Sequence, residues 1–284
     1  MTNRPILHLA ASALLCASAA NARAPESGGG SVIPVPAGAA KPYGPKLKTS
    51  VGGDSTSFSA DKGWRRTVSA EVSRDFGATA VAFGFGQGER DFGPGKTRHD
   101  GIQALARLTH EFGSRVTATT SLGIASNSPV FPRAAFAQDI DVKLGAGTVA
   151  RLGGRSSRHY GGTVVNAASA GLSQYFGGGF VSYRLSGFRT ASKGTTFAHL
   201  GSIQLKDPRG SGSTQLWLGA GSSRHETDWN PEIVEGKFRS VALKRSQPLG
   251  GGVGLSLSLG RTSYDRPFKD YRGTKFGIGL NYKR

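Results

Sequence analysis

The chain has 284 residues and is strongly basic, with 36 Lys plus Arg against 18 Asp plus Glu. Its single cysteine, Cys16, and single methionine, Met1, exclude a disulfide framework, a thiolate metal site and a methionine-rich groove. Such charge usually points to nucleic acid, but an export signal at the front turns the expected partner into lipopolysaccharide phosphate or an acidic glycan.

That signal is expected over residues 1–22. Arg4 supplies the positive start, and the run Ile6 to Ala20 is apolar. The run is too short for a spanning helix, which needs ~20 residues. Ala20 and Ala22 give the small-x-small pattern for cleavage after Ala22. A lipid-anchored reading of Cys16 is opposed by bulky Leu15 before it. Cleavage would remove Cys16 and Arg4, leaving a formal charge of +17 (35 minus 18). Residues 23–46, rich in Pro, Gly, Ala and Ser, read as a flexible periplasmic leader that cannot build a core.

From Leu47 onward the chain becomes a series of roughly ten-residue stretches of period-2 alternation, separated by turn residues. A first strand is expected around Lys48 to Ser59. Next, Trp64, Val68, Val72 and Phe76 share a face opposite Arg65, Glu71 and Asp75. Val81, Phe83 and Phe85 alternate with Ala82, Gly84 and Gly86; Val116, Ala118, Leu122 and Ile124 alternate with Arg115, Thr117 and Thr119. Ile140, Val142 and Leu144 alternate with Asp139, Asp141 and Lys143, and a short strand follows at Thr148 to Gly153. Near the end, Leu255, Leu257 and Leu259 alternate with Ser256 and Ser258, and Phe276, Ile278, Leu280 and Tyr282 with Lys275, Gly277 and Gly279.

A soluble sandwich also alternates. The joins favour a transmembrane barrel instead. Tight ones fall at 76–77, 112–114, 145–147, 176–179 and 248–252. Longer polar ones fall near 89–100, 125–135, 154–160, 224–236 and 264–272. Short periplasmic turns alternating with longer extracellular loops give this rhythm. Aromatic residues near strand ends, among them Trp64, Phe76, Phe112, Tyr160, Tyr175, Phe176, Tyr264 and Tyr282, suit interfacial girdles. The expectation is an all-β fold, a single antiparallel transmembrane barrel over 47–284 with about 14 strands, or about 12 without the first and the 148–153 strand.

The stretch Ser126-Asn127-Ser128-Pro129-Val130-Phe131-Pro132-Arg133 resembles a loop of the YaiO-type outer-membrane β-barrel family. The resemblance continues through Arg158-His159-Tyr160 into Val164 and Val165, then Gly171 to Phe176, Val181 to Arg184, and Leu218 to Ser223. It implies an outer-membrane barrel with no settled activity. Some relatives look like parts of surface-glycan systems, so it also implies transit of a surface polysaccharide as a hypothesis. Such barrels commonly end on an aromatic residue read by the barrel-assembly machinery; here Tyr282 is followed by Lys283 and Arg284.

If the apolar faces meet lipid, the lumen receives Arg65, Arg107, Arg115, Lys143, Arg184, Lys275 and Lys283 together with Glu71, Asp75, Glu111, Asp139 and Asp141. Such charges either pair into a network that fixes the interior or line a conducting pore. The function expected is a pore or transit channel, with a non-conducting structural barrel as the alternative. Arg90, Lys96, Arg98, Arg133, Arg155, Arg158, Arg224, Arg266, Lys269 and Arg272 are expected on extracellular loops, where they either bind lipopolysaccharide phosphate or stay solvated. Asp139 and Asp141 at i, i+2 could serve acid–base chemistry on a glycan. His99, His110, His159, His199 and His225 lack an accompanying nucleophile motif and read as surface or rim histidines. The glycine runs at 84–88 and 250–254 lack the Lys-Ser/Thr of a phosphate loop. No enzyme activity, cofactor, metal or nucleic acid is expected.

Overall fold

The computed structural model describes residues 47–190, 194–208, 212–222, 236–265 and 270–284. The expected signal peptide and leader lie outside the described residues, as do Arg224, His225, Arg266 and Lys269. Fourteen strands follow in order: β1 (Leu47–Phe58), β2 (Trp64–Phe76), β3 (Thr79–Asp91), β4 (His99–Phe112), β5 (Val116–Ala125), β6 (Ala134–Gly145) and β7 (Thr148–Arg158), then β8 (Val164–Phe176), β9 (Gly179–Thr190), β10 (Gly194–Lys206), β11 (Ser213–Ser222), β12 (Lys237–Gly250), β13 (Val253–Asp265) and β14 (Tyr271–Lys283). Both of the weakest strands in the sequence, β1 and β7, are present.

Each strand pairs antiparallel with its sequence neighbours, and β14 returns to β1 to close the barrel, in register from Lys48–Lys283 to Phe58–Gly273. Closure is what lipid demands, because an open edge would leave a row of peptide groups without partners. Among the described residues no helix is long and apolar enough to cross a membrane.

The alternation sets which face meets lipid. Val68, Val72 and Phe76 on β2, Phe83 and Phe85 on β3, and Leu257 and Leu259 on β13 are all exposed on the outer wall. Leu243, Leu259 and Phe276 stand side by side across β12, β13 and β14, forming part of a continuous apolar band. Inward positions carry small or polar side chains, or apolar exceptions such as Val149 and Val165, both buried. Tyr175 and Tyr264, expected at the lipid interface, point inward instead. Tyr175 meets Phe180 at 5.4 Å and Tyr264 stacks on Tyr271 at 4.4 Å. Their register puts them on the opposite parity from Phe176 and Ser263, which face out.

Several strands run past the lengths expected. Strand β3 reaches Asp91 and β7 reaches Arg158, so the joins there shrink to 92–98 and 159–163. Arg115, expected inward, lies exposed in the tight turn between β4 and β5. The turn ends the pairing before Arg115 can take a place in the wall.

Candidate functional site

The lumen wall is built by every second residue of each strand, so its charge can be read from the register. Lys48, Arg65, Arg107, Lys143, Arg151, Arg155, Arg184, Lys244 and Lys275 take inward positions, against Asp54, Glu71, Asp75, Glu111, Asp139 and Asp141. Part of this set pairs. Lys48 reaches Asp75 at 2.9 Å, Arg107 reaches Glu71 at 3.3 Å, and Lys275 reaches Asp54 at 3.4 Å. Arg151 grips Asp141 through two nitrogens, at 2.5 and 2.6 Å. That fork-to-fork geometry holds both side chains against the wall. It also occupies Asp141, which removes it from any acid–base role with Asp139.

Of the charges the sequence assigns to a lumen network, Arg107 and Glu71 pair with each other, whereas Asp75 and Asp141 pair with Lys48 and Arg151, which the sequence does not assign to it. Arg155 and Arg184 make no ion pair or side-chain hydrogen bond among the described residues. They stand close to Arg151: Arg151, Gly171 and Arg184 form one cross-strand row, and Arg155 lies four residues along β7 from Arg151. A second row, Arg107, Ser121, Ala137 and Arg155, continues the cationic surface onto β4 across two small side chains. Arg151 and Arg155 carry no apolar or alternating signal of their own and were not read as lumen residues from the sequence. Extending the parity of outward Leu152 would have placed both inside.

The wide-loop mouth is narrowed by the segment between β5 and β6. Ser126 accepts the backbone of Ile102 on its side-chain oxygen at 3.1 Å and donates its own N–H to the Ile102 carbonyl at 2.9 Å. The chain then turns into the barrel. Val130 is fully buried and Phe131 is 2% exposed. Both pack on the lumen side of β3 and β4, where Gly88 and Gly101 leave room. A Cβ at Gly88 would stand 2.7 Å from Val130 Cγ1 and 2.9 Å from Phe131 Cζ, and one at Gly101 would stand 3.0 Å from Val130 Cβ. The Arg65 guanidinium lies 5.9 Å from the Phe131 ring centre. This loop was read from sequence as an outside polar join; its Val-Phe pair is instead part of the lumen.

Arg90, expected on an extracellular loop, is also inside. It is 2% exposed and donates to the carbonyls of Lys62, Trp64 and Asp91 at 3.0, 3.0 and 2.6 Å. Its guanidinium sits between the rings of Phe58 and Phe92, at 4.4 and 4.5 Å. It thus clamps the β1–β2 and β3–β4 loops onto the mouth. Arg155, also expected on a loop, lies on the inward face of β7, because that strand runs on to Arg158. Of the other loop cations, Lys96 and Arg133 are exposed on loops. Arg98 is exposed and bonded to Glu89, and Arg158 and Arg272 face outward at strand ends.

The histidines divide by position. His110 and His199 lie on the outer wall, hydrogen-bonded to Thr79 and Tyr183. His99 lies between the rings of Phe92 and Tyr160 at the mouth. His159 is the departure from the rim reading. It is 2% exposed, its Nε2 is 2.9 Å from the Ser157 hydroxyl, and burial pushes its pKa down to about 4. A neutral imidazole beside a serine is the start of a nucleophilic pair, but Ser157 is equally buried and presents no surface to a substrate. No cluster of three His, Cys, Asp or Glu able to hold a metal is present among the described residues.

The family described as YaiO membrane beta barrel domain matches residues 46–228. Among solved structures, the CymD monoaromatic hydrocarbon channel aligns with a TM-score of 0.58 at 8% identity, covering 84% of this chain and 88% of that one. The Acinetobacter baumannii outer membrane protein Omp33 aligns with a TM-score of 0.50 at 9% identity, covering 84% of this chain and 99% of that one. At such identities the likeness is one of fold: a porin-like outer-membrane barrel.

Proposed function

The chain belongs to the YaiO membrane β-barrel family, and on that footing we propose that it is a passive outer-membrane channel favouring anionic solutes, with acidic surface oligosaccharides as the class it suits best. The observation that carries this reading is the strip of Arg155 and Arg184 beside Arg151, lumen guanidiniums that Asp139 and Asp141 do not fully neutralise. A guanidinium held in a polar wall, free of a protein carboxylate, can receive a solute carboxylate in a bidentate way. Several in sequence let a polyanion pass from one to the next without binding too tightly to leave. The small side chains between them, Ser121, Ala137 and Gly171, keep that path clear. No catalytic step is part of the proposal.

The test is a planar-bilayer recording of the folded barrel in a salt gradient. The reversal potential should report anion preference. Arg155→Glu with Arg184→Glu should weaken or reverse it, and an acidic oligosaccharide should interrupt the current where a neutral one of equal length does not. The inward Val130–Phe131 loop favours a second reading, a barrel that does not conduct. Silence from well-folded wild-type protein, with current appearing only when that loop is removed, would establish it in place of the first.

A further inference from the structure

We propose that the outer wall of β12, β13 and β14 holds a phosphorylated glycolipid of the outer leaflet, bound by Arg239, Arg261 and Arg272 with Lys237 at its edge. The inference does not depend on whether the lumen conducts. Arg239, Ser263 and Arg272 form one cross-strand row, all on the outward parity. Arg261 lies on the same face, two residues from Ser263 toward the membrane. Strands are spaced by about 4.8 Å and alternate residues by about 6.8 Å, so the three arginines start from a triangle with sides of roughly 8–10 Å. Extended side chains from such a triangle can converge on one phosphate group. They line a groove of about 750 Å³ that Asp265, opposite Lys237, and Asp270 also border, so four cations stand there against two carboxylates.

Two observations say what would fill it. All four cations are exposed and none has an ion pair or side-chain hydrogen bond among the described residues. Several other outward cations are engaged: Arg98 with Glu89, Arg245 with Asp207, Arg66 over the Trp64 ring at 4.4 Å, and Arg74 over Phe76 at 5.1 Å. Arg158 and Arg189 are outward without such a partner among the described residues, but they stand on other strands, away from this row. The groove also continues directly into the apolar band. Val241 lies next below Arg239 on its outward face, Leu259 next below Arg261, and Phe276 next below Thr274. The ligand must therefore be anionic at the top and acyl below. The patch is on the end carrying the longer loops, which faces outward in such barrels. The outer-leaflet lipid there carries phosphates on a glycan head, and guanidinium binds phosphate in a bidentate way.

Native mass spectrometry of the detergent-extracted barrel tests this. Wild-type protein should retain bisphosphorylated lipid A, with about tenfold weaker retention of fully dephosphorylated lipid A. The Arg239→Gln, Arg261→Gln, Arg272→Gln triple variant should lose that preference, while Arg74→Gln at the opposite end should keep it. The triple lysine variant preserves charge and should retain an intermediate preference, which guards against misfolding of the glutamine form. Excess inorganic phosphate should not displace the lipid, since it lacks the acyl contact. Equal retention of both lipids by wild type, an unchanged preference in the triple glutamine variant, or full displacement by inorganic phosphate would each overturn the proposal.

Discussion

Replacing Gly88 with valine tests whether the β5–β6 loop is held inside the barrel by the space that Gly88 leaves. Gly88 carries no left-handed backbone angle, so any effect comes from the side chain. Its Cβ alone would press on Val130 and Phe131 at 2.7 and 2.9 Å and on the Arg66 carbonyl at 3.1 Å. Two further methyls cannot be absorbed by a strand hydrogen-bonded on both sides. Overpacking of this kind costs about 1–3 kcal/mol. Complete expulsion would lose the burial of two side chains, about 1.5–3 kcal/mol each. The loop should therefore retreat by a small step rather than leave, at a cost of about 2 kcal/mol. In hydrogen exchange, protection of the hydrogen-bonded Ala125 and Ser126 amides that anchor this loop should fall by roughly 30-fold, because 1.4 kcal/mol is a factor of ten. If the lumen conducts, single-channel conductance should rise. Phe131→Ala should make room, so the double variant should lose less than the sum of the two single ones. Unchanged exchange in Gly88→Val would mean that the loop is not packed on that wall, and the account of the mouth would fail.

Three further outcomes are expected. The His159 pKa is lowered to about 4 by burial, so the unfolded loop takes up a proton from pH ~6.5 downward while the folded one does not; stability is full above that range and about 3 kcal/mol is lost as pH falls toward 4, read by limited proteolysis of the 159–163 loop. A flat proteolysis rate across that window would contradict the buried neutral imidazole. Leu257→Arg, on the lipid face, should cost ~2–4 kcal/mol of membrane folding stability, while lumen-facing Ser256→Arg should cost less; equal losses in a urea titration into bilayers would mean both faces are packed. Deleting 274–284 removes nearly all of the β1–β14 ladder and should abolish the heat-modifiable folded band, while deleting 24–40 should not; a folded band from the truncated chain would mean that another strand closes the barrel.

Period-2 alternation determined most of this fold, because in lipid only one arrangement satisfies both a strand's apolar face and its backbone. Phe83 and Phe85 against Gly84 and Gly86 were enough to say which side of β3 meets the membrane. The same parity, carried to the true strand ends, places Arg90, Arg151 and Arg155 in the lumen. The sequence places Arg90 and Arg155 on loops because Gly- and Arg-rich strand ends look like turns, while Arg151 falls within the expected 148–153 strand, too short to display a clear alternation. Other features had no local signal. Val130 and Phe131 sit in a Pro-bounded polar segment, and nothing in that segment says that it folds inward. Its destination depends on Gly88 and Gly101, glycines on two different strands brought together only by β3–β4 pairing. The Arg239–Arg261–Arg272 patch is likewise assembled across three strands from single arginines, each unremarkable in its own stretch. Sequence periodicity fixes the direction of a side chain from its own strand, whereas contacts between strands depend on register and closure, which only the assembled barrel supplies.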